Sequence, residues 1–87
     1  MIRRGESFLA SGDLASGRLF LQRAAEGGSA AAALELATTF DPLTIDRFGA
    51  VGAEPDAAKA RKWYQKAIEL GSAAAAQQLA RLTQSGQ

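Results

Sequence analysis

The chain has no cysteine and no histidine among its 87 residues. The first absence excludes disulfides, thiol chemistry and zinc–thiolate sites, and it leaves the compartment open. The second removes the commonest general base, the usual metal-ligating side chain and the side chain that titrates near neutral pH. Neither sign of charge dominates. Ten basic and nine acidic residues leave a net charge of +1, whereas a duplex-binding domain carries a basic excess on one face. Nucleic acid is therefore not an expected partner. The opening Met1-Ile2-Arg3-Arg4-Gly5-Glu6 is followed by no apolar h-region, and the longest apolar runs are too short to span a bilayer. Neither a signal peptide nor direct membrane insertion of this segment is expected, and cytoplasm and periplasm both stay open. What is present is abundant alanine and a hydrophobic content of 47%. That mix predicts one small, soluble, all-α domain over residues 1–87.

The string GSAAAA occurs twice, at Gly28–Ala33 and at Gly71–Ala76, an offset of 43 positions. Extended over Asp13–Asp41 and Asp56–Gln84, the same offset makes 14 of 29 positions identical. The matches include Asp, Arg, Gln, Glu, Gly and Leu, which chance pairing of alanines does not produce. The chain therefore contains two units, about 13–41 and 56–84, as an internal repeat predicts.

Each unit opens on an aspartate, Asp13 or Asp56, a good helix N-cap that also suits the positive end of the helix dipole. An apolar stripe follows at steps of three and four. It comprises Leu14, Gly17, Phe20, Leu21, Ala24 and Ala25 in the first unit, and Ala57, Ala60, Trp63, Tyr64, Ala67 and Ile68 in the second. Gly28 or Gly71 then ends the helix in a left-handed C′ conformation. Ser29 or Ser72 caps the next helix at once. The alanines favour helix and leave little bulk, so the two helices of a unit can approach closely. Leu36 and Leu79 continue the second helix. Each unit is thus predicted to be a helix–turn–helix hairpin with a very short connection.

The flanks fit the same frame. Residues from about 2 to 11 predict a leading helix anchored by Phe8 and Leu9, with Gly12 ending it. Residues 42–55 form a long connecting loop. Asp41-Pro42 reads as an N-cap and first helical residue, and Leu43, Ile45 and Phe48 as one helical turn closed by Gly49.

The stretch DAAKARKWYQKAIELGSAAAAQQLARL, Asp56–Leu82, resembles a Sel1-like repeat, a relative of the tetratricopeptide repeat. The family pattern falls on Asp56, Lys59-Ala60, Trp63-Tyr64, Lys66-Ala67, Gly71, Ala75 and Leu79-Ala80. Ala80 replaces the family glycine, and Thr83 stands where a tyrosine is usual, as expected of a helix that closes a stack. In the first unit Ser16-Gly17 stands for Lys-Ala and Phe20-Leu21 for Trp-Tyr. Ala32, Leu36-Ala37 and Phe40 fit the remaining positions. The resemblance covers roughly residues 5–82. It implies an α/α solenoid, a right-handed superhelix of antiparallel hairpins. It also implies a bacterial adaptor in protein–protein complexes, with no catalytic residues and no cofactor. Stacked hairpins bury their faces against each other and leave an extended curved surface.

The residues expected to build the repeat core are Phe8, Phe20, Leu21, Ala24, Gly28, Ala32, Leu36, Phe40, Trp63, Tyr64, Ala67, Ile68, Gly71, Ala75 and Leu79. The resemblance places the second helix of each unit on the concave side. The polar residues there become candidates for protein or peptide contact: Arg4, Ser7, Glu35, Thr38, Thr39, Gln78 and Arg81. Trp63 and Tyr64 are a candidate stacking pair, but their place on the apolar stripe favours core packing. Lys59, Lys62 and Lys66 make a basic stripe on one helix face, readable as a dock for an acidic partner or as solvated side chains snorkelling over the stack. Asp41, Asp46, Glu35 and Glu54 are the acids near the long loop. With no histidine to assist and Asp41 explained as a cap, no catalytic or metal site is expected. The leading functional expectation is a non-enzymatic protein- or peptide-binding scaffold. The alternative is a structural spacer or self-assembly module, a homodimer included.

Overall fold

Two sharp stops and two immediate restarts organise the backbone. The computed structural model describes residues 14–45 and 54–86. The expected leading helix, with Arg4, Ser7 and Phe8, and the inner part of the connecting loop, with Asp46 and Phe48, lie outside the described residues. Among the described residues the protein is all-α, with no strand. Its helices are α1 (Leu14–Glu26), α2 (Ala30–Phe40), α3 (Ala57–Glu69) and α4 (Ala73–Gln84).

Gly28 has φ +102° and Gly71 has φ +107°. Each is the left-handed C′ residue of a Schellman motif. The Gly28 N–H donates to Ala25 O at 2.9 Å and the Ser29 N–H to Ala24 O at 3.1 Å. In the second hairpin the Gly71 N–H donates to Ile68 O and the Ser72 N–H to Ala67 O, both at 2.9 Å. The serine that closes one helix also opens the next. Ser29 Oγ accepts from the Ala32 N–H at 3.1 Å and Ser72 Oγ from the Ala75 N–H at 3.2 Å. One serine thus satisfies an orphan carbonyl behind it and an orphan N–H ahead of it.

The connection between the hairpins is pinned at both ends. Asp41 takes the C-cap of α2, its N–H donating to Ala37 O. Its carbonyl accepts from Thr44 and Ile45, and its Oδ1 accepts from the Leu43 N–H at 2.8 Å, starting a helical turn. At the far end the Asp56 N–H donates to Phe40 O at 2.8 Å. Asp56 Oδ1 then caps α3 by accepting from the Lys59 N–H at 3.0 Å. The chain leaves and re-enters the hairpins at one place.

Each helix packs mainly on its chain neighbours, and the α2–α3 contact is the most extensive. The core is built largely from alanine, with Leu21, Leu36, Tyr64 and Leu82 as the large, fully buried apolar side chains. Small residues at Gly17, Ala24, Ala32, Ala60, Ala67 and Ala75 are buried, so helix backbones can lie close together. Tyr64 places its hydroxyl in the interior, where it donates to Asp41 Oδ2 at 2.6 Å. The two groups satisfy each other across the α2–α3 contact, as burial of polar atoms requires.

Several expected core positions differ from their prediction. Ile68 is 38% exposed, although its counterpart Ala25 is completely buried. The physical reason is the absence of a covering neighbour: among the described residues no helix follows α4 to pack over it. Phe20, Phe40 and Leu79 are half-buried. Gly28 and Gly71 are exposed, and their role is conformational. In the other direction, Leu82 is fully buried; it extends the stripe of Ala75 and Leu79 by one more helical step.

Candidate functional site

Arg18 reaches from α1 across the end of α2. Its Nε donates to Thr39 Oγ1 at 3.2 Å, and one terminal nitrogen donates to Thr39 O and, at 3.1 Å, to Glu54 O. The guanidinium carbon lies 3.9 Å from the centre of the Phe40 ring, a cation–π stack. Burial pulls the guanidinium pKa below its ordinary value, and nearby Asp56 draws it partly back. An arginine so placed stays charged at any physiological pH. It acts as a clamp that joins α1, the end of α2 and the segment entering α3.

Burial at the end of α2 corrects two of the expected contact residues. Thr38 and Thr39 are buried. Their hydroxyls donate back along the helix to Glu35 O and Leu36 O, each at 2.6 Å, so they can be buried without an unsatisfied donor. Thr38 O also accepts from Thr44 Oγ1 at 2.8 Å. Neither threonine is available to a partner. Glu35 and Gln78 are half-buried at matching places on α2 and α4, and Arg81 is exposed on α4. The structure leaves these three at the surface.

The basic stripe divides. Lys59 Nζ lies 5.4 Å from the Phe40 ring centre and Lys62 Nζ 5.3 Å from the Trp63 ring. Both are solvated lysines lying over aromatic faces, worth about 0.5–1 kcal/mol each at such exposed sites. Lys62 and Lys66 then turn to a cleft of about 440 Å³, which Glu26, Trp63, Gln65 and Glu69 complete. Trp63 forms its apolar part and is 8% exposed; its ring is mainly core, with a narrow edge presented to solvent. Two lysines and two glutamates balance the charge of the cleft. Its Lys62, Trp63 and Lys66 stand out in the sequence. Glu26 does not, because it lies in the last turn of α1, far along the chain from α3.

Among the described residues no group of three His, Cys, Asp or Glu side chains could hold a metal ion, and no helix is long and apolar enough to cross a membrane. Asp41 is fully buried and engaged at both carboxylate oxygens. Its role is to fix the α2–α3 contact. Comparison with protein-family models, curated proteins and solved structures returned no match.

Proposed function

We propose that this protein is a non-enzymatic binding scaffold, a short Sel1-like α/α solenoid that holds a protein or peptide partner on the surface of its stacked hairpins. The observation that carries the reading is the duplicated junction. The same Gly–Ser pair stops one helix and caps the next in both hairpins, with backbone angles agreeing to within a few degrees. Chain-neighbour packing of four helices is the arrangement from which helical-repeat proteins build extended surfaces. Glu35, Gln78 and Arg81 are the contact residues of the reading. What supports a binding reading is that Asp41, the buried carboxylate among the described residues, is held at both oxygens by structural bonds, and that Lys59 and Lys62 lie over aromatic rings.

The test is a matched pair of baits. Wild-type protein and the triple variant Glu35→Ala, Gln78→Ala, Arg81→Ala are immobilised, after thermal melts establish that both are folded. A partner held by wild type and lost by the variant supports the reading. A partner held equally by both removes these three residues from it, and turnover of a substrate by the purified chain defeats the scaffold proposal outright.

A further inference from the structure

Position 63 carries more chemistry than the repeat uses there. Its counterpart at the 43-residue offset is Phe20, and the counterpart of Lys62 is Leu19. The first hairpin thus fills the same place with a plain ring and an uncharged neighbour. α3 adds an indole N–H and an ammonium. Trp63 is only 8% exposed, and an indole N–H at such depth ordinarily finds an acceptor. Among the described residues nothing accepts from it, and no buried side-chain nitrogen is left unsatisfied. The N–H therefore belongs to the accessible edge of the ring, and Trp63 lines the cleft of about 440 Å³.

The charges around that edge are sorted along α3. Lys62 and Lys66 stand one helical turn apart, with Lys62 Nζ 5.3 Å from the indole ring centre. Glu26 and Glu69 are the last residues of α1 and α3 and line the same cleft. A carboxylate in the last turn faces the negative end of its helix dipole, which is unfavourable. Both hairpins carry that cost at the same place in the repeat. Among the described residues no ion pair engages these four side chains; Glu26 accepts only from Gln22 Nε2, at 3.4 Å.

We infer that this cleft binds a short segment of a partner polypeptide in which an acidic and a basic side chain stand about three residues apart. The acidic carboxylate accepts from the Trp63 N–H and from the Lys62 and Lys66 ammoniums. The basic group meets Glu69 and Glu26. Trp63 and Glu69 are six positions apart, about 9 Å along a helix, and an extended chain covers that distance in about three residues. The four lining charges cancel, so a ligand of one sign gains from one pair and is opposed by the other, whereas a dipolar segment gains from both. Gln65 also lines the cleft and offers an amide donor and acceptor to a passing main chain.

This inference takes its class of ligand from the scaffold reading above and names a site separate from Glu35, Gln78 and Arg81. The probes are labelled hexapeptides, acetylated and amidated, of sequence Gly-Glu-Ser-Ser-Arg-Gly and its reverse, so that both chain directions are offered. Fluorescence anisotropy with the full chain should show saturable binding of one of them below about 1 mM. Glutamine in place of the peptide glutamate should abolish it. Trp63→Phe keeps an aromatic ring and removes the N–H, and should weaken binding about tenfold. The double variant Lys62→Gln, Lys66→Gln should weaken it at least as much, and its sites are exposed and half-buried, so it tests the cleft even where Trp63→Phe melts early. No saturable binding in either direction overturns the inference, as does binding indifferent to the lysines or to the peptide glutamate. Competition by free glutamate and arginine as strong as by unlabelled peptide overturns the polypeptide as ligand. Failure of both peptides with the scaffold partner still held by wild type defeats the cleft alone; peptide binding with no partner lost on changing Glu35, Gln78 and Arg81 defeats that surface alone.

Discussion

Ala33 and Ala76 occupy the same place in the repeat, five residues after the glycine that stops the preceding helix. Ala33 is completely buried and Ala76 is exposed. One residue earlier the contrast vanishes: Ala32 and Ala75 are both completely buried. Ala32 and Ala75 look into their own hairpin, which each unit completes by itself. Ala33 and Ala76 lie one residue round the helix, where burial differs between the hairpins. The sequence of a hairpin thus determines its internal packing, while the burial of its outer face depends on what lies beside it. The same division separates Ala25 from Ile68 and Ala37 from Ala80.

The sharpest way to break the comparison is at the aromatic anchors. Trp63→Ala should destabilise by about 3–5 kcal/mol, whereas Phe20→Ala, at the matching but half-buried position, should cost about half as much. Urea unfolding of the two variants checks the ratio. Equal costs would mean that Phe20 is covered as fully as Trp63. The alanines sharpen the comparison further. Ala32→Leu and Ala75→Leu should each overpack a hairpin by about 1–3 kcal/mol. Ala33→Leu should do the same, while Ala76→Leu, at an exposed site, should stay within about 0.5 kcal/mol of wild type. Equal loss at Ala33 and Ala76 would show that the outer faces are alike after all.

The junctions should respond identically in both hairpins. An added Cβ meets nothing within 4 Å at Gly28 or Gly71, so the penalty of Gly→Ala is one of backbone conformation, about 1–2 kcal/mol at either site. The caps should cost somewhat less than the glycines, with Ser29→Ala and Ser72→Ala each losing about 1 kcal/mol. Midpoint shifts in thermal denaturation, measured for each pair together, would expose any inequality between the two junctions.

Much of the architecture is legible from local chemistry. The Gly–Ser junctions, the Asp56 cap, the turn begun by Asp41 and the buried stripe through Trp63 and Tyr64 all depend on neighbours within a few residues. What escaped the sequence depends on distant ones. Thr39 looks like a surface polar residue until Arg18, 21 positions earlier, bonds to it, and Thr38 until its burial is seen. Ile68 has the spacing of a core residue, and periodicity carries no information about what stands on the other side. Leu82 is absent from the expected core and is buried all the same. Of the cleft, the lysines and Trp63 are visible as a pattern, whereas the Glu26 wall comes from the other hairpin.

The pinned ends of the connecting segment have an evolutionary consequence. The bond from Asp56 to Phe40 and the Arg18 clamp onto Thr39 and Glu54 hold the exit and the re-entry of the chain together. The hairpins therefore do not sense the length of what runs between them. Doubling such a segment adds only about 0.6 kcal/mol of closure entropy. This is the place where the protein can accept foreign sequence, a tag or a grafted recognition loop, and gain a new specificity with its helices undisturbed.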